Sequence, residues 1–496
     1  MGSSKKIVSG VAWSIITNVV NAVYGFIMIP ILISYFGKAE YGLIGLAQSV
    51  NAYMRLMDMG LTSTNVRFFS NWIAKGDDSK VQKLFATCTS FYGFIGLVNA
   101  IVLVVVCFFS DSIFNVTPEQ NVILQQLLVI LAVSAIVNWF TSCYNQIIQA
   151  TENVAWTQRL LLITKLLMVA AIFATVYLKL NIIVYVTLTV LCNWVILPWV
   201  IRKIKSLLPY ISFLPKFDKA TFKEILPYTL NIFSFTIFSF SYNNLKPVFL
   251  GMQSTPESVT DYKVIMGIVG IISSVTGVFM TTLLPTSSRV IAENDREKFT
   301  RIAYQGTKFL TVFIGFCVFG MMTIAGDLLI LYVGDSFNNL LPWLLIMIFL
   351  QFSNQNNALS SLVLGGTNIR PLSRMTAVSS VLALVAAWLL IPHFGVGGVV
   401  ISTAIYSVLQ LLFYYIYYCP KELNVESWRI VRTTLLPVSL VGLVIWYGFK
   451  MIPHFYNHWV NVFVFGSAFV AVYFIFAILY LSKEDKTFIL SLIKSK

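Results

Sequence analysis

Apolar runs of twenty or more residues recur from one end of the chain to the other, and half of them carry no charge; the stretches 84–109 and 121–147 are two examples. At about 1.5 Å per helical residue, each is long enough to cross a hydrocarbon core roughly 30 Å thick. No water is available there for a bare N–H or C=O, so a spanning segment must be a helix or part of a closed barrel. The runs have helix length and lack the ten-residue alternation of barrel strands, so helices are predicted. Composition agrees: 58% of the 496 residues are hydrophobic and 11% charged, against about 45–50% and 25% in soluble domains. The expected class is an all-α polytopic membrane protein. The first run begins at Ile7, is too long for a cleaved signal and reads as the first span.

Fourteen spans are predicted: 7–35, 41–66, 84–109, 121–147, 157–178, 181–201, 225–250, 262–288, 303–333, 340–364, 372–391, 397–418, 430–450 and 460–481. The net charge of +14 is informative through its distribution. Of 34 Lys and Arg residues, 26 fall on one set of alternate connections, including Lys5, Lys6, Lys75, Lys80, Arg202, Lys203, Arg289, Arg296, Arg370, Arg429, Arg432 and the tail Lys483, Lys486, Lys494 and Lys496. The opposite face has Lys38, Lys179 and Lys450. The positive-inside rule then predicts that both termini are cytoplasmic. With this reading the basic balance implies no nucleic-acid partner.

Five bases remain inside spans, namely Arg55, Lys165, Lys246, Lys263 and Lys308, with Asp58 as the intramembrane acid opposing them. A charge at a helix centre costs about 2.5–3.5 kcal/mol on insertion scales, so such residues face a bundle interior or a wet cavity and find a partner. Two readings of Arg55 and Asp58 stay open. They form a self-neutralising pair at i, i+3 that fixes packing, or they line a cavity that handles an ionic substrate. Lys165 and Lys308 lie toward inner span ends, where anchoring at the interface is the simpler account, while Lys263, near an outer end, is open equally to snorkelling and to a cavity. Lys246 precedes Pro247 in the polar run Tyr242-Asn243-Asn244-Leu245-Lys246, which favours a cavity over lipid.

The two halves of the chain look alike. Glu40-Tyr41-Gly42 recurs as Asp261-Tyr262-Lys263 after 221 residues, Ile29-Pro30 as Lys246-Pro247 after 217, and Asn153 with Arg159 as Asn368 with Arg374 after 215. Six spans per copy give parallel repeats with a binding site between them. The expected division is 1–206 (helices 1–6), 207–419 (helices 7–12) and 420–496 (helices 13–14 and tail). All six cysteines lie in or beside spans without ligand or redox spacing, and His393, His454 and His458 fall in short connections at helix ends. No metal site is expected.

The pattern Phe36-Gly37-x3-Tyr41-Gly42-Leu43, followed by Asp58-Met59-Gly60-Leu61 and Arg67-Phe68, resembles the opening of bacterial polysaccharide-biosynthesis membrane proteins. These are the Wzx-type O-antigen and capsule flippases of the multidrug/oligosaccharidyl-lipid/polysaccharide exporter superfamily. The resemblance implies two six-helix lobes in a V, spans 1 and 2 meeting spans 7 and 8 across a cationic cavity, and a groove from spans 13 and 14 for a lipid tail. It also implies a bacterial inner-membrane location, a lipid-linked glycan and membrane lipids as partners, and a glycan polymerase with chain-length machinery nearby. Mapped here, the implied pyrophosphate ligands are Arg55, Lys246 and Lys263. Span 1 departs from the pattern with Asn18, Asn21 and Tyr24 in place of a charge.

Physically, fixed cations can replace water around a pyrophosphate, Arg by bidentate contacts and Lys as a point charge. Sugar hydroxyls need amides and hydroxyls, for which Asn18, Asn21, Tyr24, Gln48, Asn51, Asn231, Tyr242, Asn243 and Asn244 are candidates. No cofactor is implied beyond H+ or Na+ as a coupling ion at Asp58, whose other role is counter-charge to Arg55. The expected function is alternating-access export of an undecaprenyl-pyrophosphate-linked oligosaccharide. A cationic-drug exporter of the same superfamily competes, against which five bases to one acid argue. A glycan polymerase or ligase competes less well, because no sizeable outer loop or acid/base pair is present.

Overall fold

The computed structural model describes residues 2–58, 60–365 and 370–482. Met59, Asn368, Lys483, Lys486, Lys494 and Lys496 lie outside them, as do the side chains of Lys5, Lys6, Asn231 and Arg289. The described chain is almost wholly helical and forms two compact units.

The first unit comprises 1–263 and 384–399. Its helices are α1 (Gly2–Phe36), α2 (Lys38–Tyr53), α3 (Leu61–Ala74), α4 (Asp78–Phe108), the short α5 (Ser110–Ile113), α6 (Pro118–Ala150), α7 (Val154–Tyr177), α8 (Ile182–Val195), α9 (Leu197–Leu207) and α10 (Lys219–Gln253). Helix α6 is central, packing on α2, α3, α4, α8 and α9, while α10 packs on α2, α3 and α4. The unit thus extends beyond the first six spans to include the seventh. The connection into α10 runs along the start of α4: Lys216 N–H donates to Ala86 O, Asp218 N–H to the Thr87 hydroxyl, and Gln82 bonds both ways with Ser212. Asp218 caps α10, and the Thr221 hydroxyl with the N–H groups of Ala220 and Thr221 holds its carboxyl below the ordinary range. The cap is therefore intact at neutral pH and is lost as pH falls through that lowered value.

Helix α11 (Pro256–Ala292) passes from the first unit into the second, which comprises 264–383 and 400–496. There follow α12 (Arg296–Arg301), α13 (Thr307–Val333), α14 (Leu341–Leu350), α15 (Asn357–Gly365), α16 (Arg370–Phe394), α17 (Val396–Phe413), α18 (Ser427–Ile430), α19 (Leu436–Lys450) and α20 (His458–Tyr480). Helix α13 is its spine, with α14, α19 and α20 against it. Gly442 allows the close approach of α19, since a Cβ there would sit 2.1 Å from the Phe319 ring.

Twelve described helical segments are long and apolar enough to span a bilayer, against fourteen predicted. The missing two are 41–66, which is broken in the middle, and 225–250, whose 35-residue helix is diluted by Tyr242, Asn243, Asn244 and Lys246. The protein is a multi-pass membrane protein. Its exposed apolar side chains form continuous helix faces, such as Leu436, Leu440 and Val444 (71% exposed) on α19, which suit lipid and not water.

Asp327 corrects the count of one intramembrane acid. It is 6% exposed near the end of α13, and its carboxylate meets Nδ1 of His454 at 2.9 Å and of His458 at 2.7 Å and accepts from Asn461 Nδ2 at 2.7 Å. The two histidines that spacing left uninformative thus tie the α19–α20 connection to α13. Asp327→Ala is expected to cost about 1.5–3 kcal/mol, the range for hydrogen bonds to a charged group. The check is a lowered thermal midpoint of the purified protein, and an unchanged midpoint would sink the tether.

Candidate functional site

The run 41–66 does not form one helix. After α2 the chain makes a single 3₁₀ stretch, Met54–Asp58, then turns through Gly60 in the left-handed region (φ 82°) and starts α3 at Leu61. A left-handed residue there is tolerated best as glycine. Arg55 and Asp58 therefore sit on irregular backbone, which at membrane depth survives only inside protein or beside a wet cavity.

Asp58 is held from three sides. The Tyr92 hydroxyl donates to Oδ1 at 2.6 Å, the Thr62 hydroxyl to Oδ1 at 3.1 Å, and Thr62 N–H to Oδ2 at 3.2 Å. The last contact places the carboxylate at the positive end of α3. Behind these partners, Gln146 Nε2 donates to Tyr92 Oη and Thr62 Oγ1 at 2.9 and 3.0 Å, and Gln146 Oε1 accepts from Asn65 at 2.8 Å. Tyr92 and Gln146 are buried. Among the described residues no Arg55–Asp58 ion pair forms, so the pairing expected from i, i+3 spacing is replaced by this network. The 3₁₀ geometry and the competing Tyr92 and Thr62 donors are the reason. Tyr92→Phe is expected to lower stability by about 1.5–3 kcal/mol, measurable by thermal unfolding, with Phe91→Leu as a nearby control.

Arg55 is exposed to a cavity of about 600 Å³ inside the first unit. Five asparagines line it with Arg55 and Asp58: Asn51 of α2, Asn99 of α4, Asn138 and Asn145 of α6, and Asn193 of α8. Thr141 and Ser142 add hydroxyls, Trp139 an aromatic wall, and Phe233, Thr236 and Phe240 bring in α10. Asn99 is 3% exposed, its Nδ2 donates to Asn51 Oδ1 at 3.4 Å, and its Oδ1 has no protein donor among the described residues. Buried acceptors are normally satisfied, so Asn99 Oδ1 is set to receive a hydroxyl or water. Of these five asparagines only Asn51 stands out in the sequence, although Asn138, Thr141, Ser142 and Asn145 at i, i+3, i+4, i+7 mark one polar face on an apolar helix.

The other expected site residues are distributed differently. Lys246 is 3% exposed with Nζ 3.5 Å above the Tyr242 ring, inside packing and away from the cavity lining. Pro247 leaves α10 continuous. Lys263 lies along α2, where a Cβ on Gly45 would meet its Cε at 3.3 Å. Lys165 stacks 4.6 Å over Tyr24, one turn from the cavity residue Leu161, and is not itself among the cavity residues. Asn243 and Asn244 donate to Ser239 O and Phe240 O of their own helix. Asn18 and Asn21 are exposed on α1, and neither is among the cavity residues. Lys308 lies in the second unit, 5.0 Å over Tyr480. The side chain of Asn231 is outside the described residues.

The motif residues position α2 and α3. Gly37 has φ 84°; Lys38 pairs with Asp261 at 2.6 Å and its carbonyl accepts from the Thr260 hydroxyl at 2.6 Å. Gly42 lies under Pro256 O, and Arg67 and Phe68 both pack on Tyr228 of α10. The recurrence Glu40-Tyr41-Gly42 and Asp261-Tyr262-Lys263 therefore marks two segments that meet at the start of α11.

The fold is one shared with solved structures of membrane flippases and transporters. The structure titled lipid II flippase MurJ, inward closed conformation, superposes with TM-score 0.72 at 14% identity, covering 95% of this chain and 98% of that one. An inward-facing multidrug resistance MATE family transporter of the MOP superfamily gives 0.59 at 14% identity over 88% and 96%. The MATE multidrug transporter DinF-BH gives 0.54 at 14% over 84% and 96%. No curated protein matches the sequence. Residues 7–291 match the family described as polysaccharide biosynthesis protein, and the chain belongs to that family.

Proposed function

We propose that the protein is a flippase carrying an undecaprenyl-pyrophosphate-linked oligosaccharide, an O-antigen or capsule repeat unit, from the cytoplasmic to the outer leaflet by alternating access. In this reading it is an inner-membrane transporter with cytoplasmic termini, working beside the glycan polymerase and chain-length machinery, and not itself an enzyme. The observation that carries it is the cavity in the first unit, where the Arg55 guanidinium faces a belt of asparagine amides. Arg offers a planar fork to a phosphate, and amides both donate to and accept from sugar hydroxyls. Asp58 is the candidate for a coupling H+ or Na+, because a change in its charge alters its bonds to Tyr92 and Thr62 and so the helix break itself.

The test is deletion followed by identification of the lipid-linked sugar that accumulates. The expected result is a complete repeat unit trapped on the cytoplasmic leaflet. Normal surface glycan, or loss of cationic-dye efflux in its place, would replace this reading with the drug-exporter one.

A further inference from the structure

In the second unit, well away in sequence from the cavity just described, three π-helical stretches converge: Ile302–Gly306, Tyr414–Glu422 and Val431–Leu435. Such turns are rare, well under about 1% of residues, and recur at functional sites. Between the second and third of these opens a pocket of about 620 Å³ lined by Glu426, Ser427, Trp428, Arg429, Arg432 and Thr433, among others. The Tyr304 hydroxyl accepts from Glu426 N–H at 2.9 Å, and the same ring carries the Arg429 guanidinium at 4.7 Å, which fixes its direction. Arg296 holds the connection by donating to Leu423 O and Asn424 O at 3.1 and 2.7 Å.

Arg429 and Arg432 are exposed and share a helical face at i, i+3. Neither makes an ion pair among the described residues, although Glu426 lines the same pocket. The location narrows what can answer them. The pocket sits where the spans Val396–Glu422 and Ser427–Lys450 end, so its occupant shares the membrane boundary. Trp428 is 67% exposed there, the placement of an indole among headgroups. From Arg432, the residues Leu436, Leu440 and Val444 continue at i+4 spacing as an exposed apolar stripe along α19. Two guanidiniums at the head of an apolar stripe match a phosphate attached to acyl chains better than a soluble anion.

We propose that this pocket is a binding site for the phosphate headgroup of an anionic membrane phospholipid, of the phosphatidylglycerol class. It is separate from the cargo cavity, and its assignment to the cytoplasmic leaflet rests on the positive-inside orientation. A basic pocket at a membrane boundary is the arrangement expected for headgroup recognition.

The experiment is native mass spectrometry and thermal unfolding of the detergent-purified full chain, with phosphatidylglycerol, phosphatidylcholine or inorganic pyrophosphate added. The wild type is expected to retain phosphatidylglycerol about tenfold better than phosphatidylcholine and to unfold several degrees higher with it. Arg429→Gln/Arg432→Gln should lose both effects, Arg429→Lys/Arg432→Lys should keep part of them, and Lys421→Gln should keep them fully. If the double variant fails to fold, the single Arg432→Gln decides, since that side chain has no described protein partner. Equal retention of the two lipids, an unaltered Gln variant, or full stabilisation by pyrophosphate alone would each overturn the lipid site. Because the readout is binding and not export, its failure leaves the transport reading standing.

Discussion

Arg55→Glu is expected to abolish surface glycan while the protein remains inserted and as stable as wild type. Arg55 faces the cavity and makes no described ion pair, so its replacement leaves no buried carboxylate stranded and spares the Asp58 network. What is lost is the cavity's guanidinium. A hydrogen bond to a charged group contributes about 1.5–3 kcal/mol, so removal alone weakens phosphate binding roughly 10- to 100-fold, and a carboxylate in its place adds repulsion. Arg55→Lys should retain partial export, because the point charge remains but the fork does not. The measurement is surface glycan by immunoblot beside membrane insertion and detergent unfolding. Intact glycan in Arg55→Glu would remove Arg55 from the site. The same reversal at Lys246 is a different experiment. Its amine is buried over Tyr242, so Lys246→Glu puts an uncompensated charge into packing and should fail by misfolding.

Gly42→Ala should be nearly as damaging, for a reason that has nothing to do with cargo. A Cβ at Gly42 would lie 1.9 Å from the Pro256 carbonyl oxygen and 3.0 Å from the Thr260 hydroxyl. The first obstacle is backbone, so no rotamer change relieves it, and α2 must move from the start of α11. The shift would strain the Lys38–Asp261 pair and the Thr260 bond that hold the same joint. Overpacking typically costs about 1–3 kcal/mol, and a backbone clash belongs at the upper end. The expected outcome is a thermal midpoint lowered by several degrees and export reduced at least tenfold. Gly25→Ala is the control, since nothing lies within 4 Å of its Cβ. A Gly42→Ala protein with wild-type stability and export would refute the close-approach account.

The motif that suggested the family does mechanical work. Gly37, Gly42, Gly60, Arg67 and Phe68 set backbone turns and helix approaches. Asp58, read as a partner for Arg55, holds the break in the second span through Tyr92, 34 residues away, and Thr62. The cavity is lined instead by asparagines on α2, α4, α6 and α8, of which Asn51 on α2 stood out in the sequence and those on α6 are marked by their spacing. Each of the others is a lone amide in an apolar run and looks like ordinary helix-to-helix bonding.

The sequence by itself determined the solvent of the protein, its helical class, its family and the presence of charges that cannot face lipid. Those follow from local quantities: the length and apolarity of each run and the cost of an isolated charge in hydrocarbon. Tertiary structure decided which charges share a space. It left Arg55 open to a cavity, buried Lys246 under a tyrosine ring, joined Asp327 to two histidines 127 and 131 residues away, and stacked Lys165 on Tyr24. Period and composition constrain one helix at a time. Partners for a buried charge come from whichever helix packs against it, and that depends on close approaches such as Gly42 under Pro256 that no single run encodes.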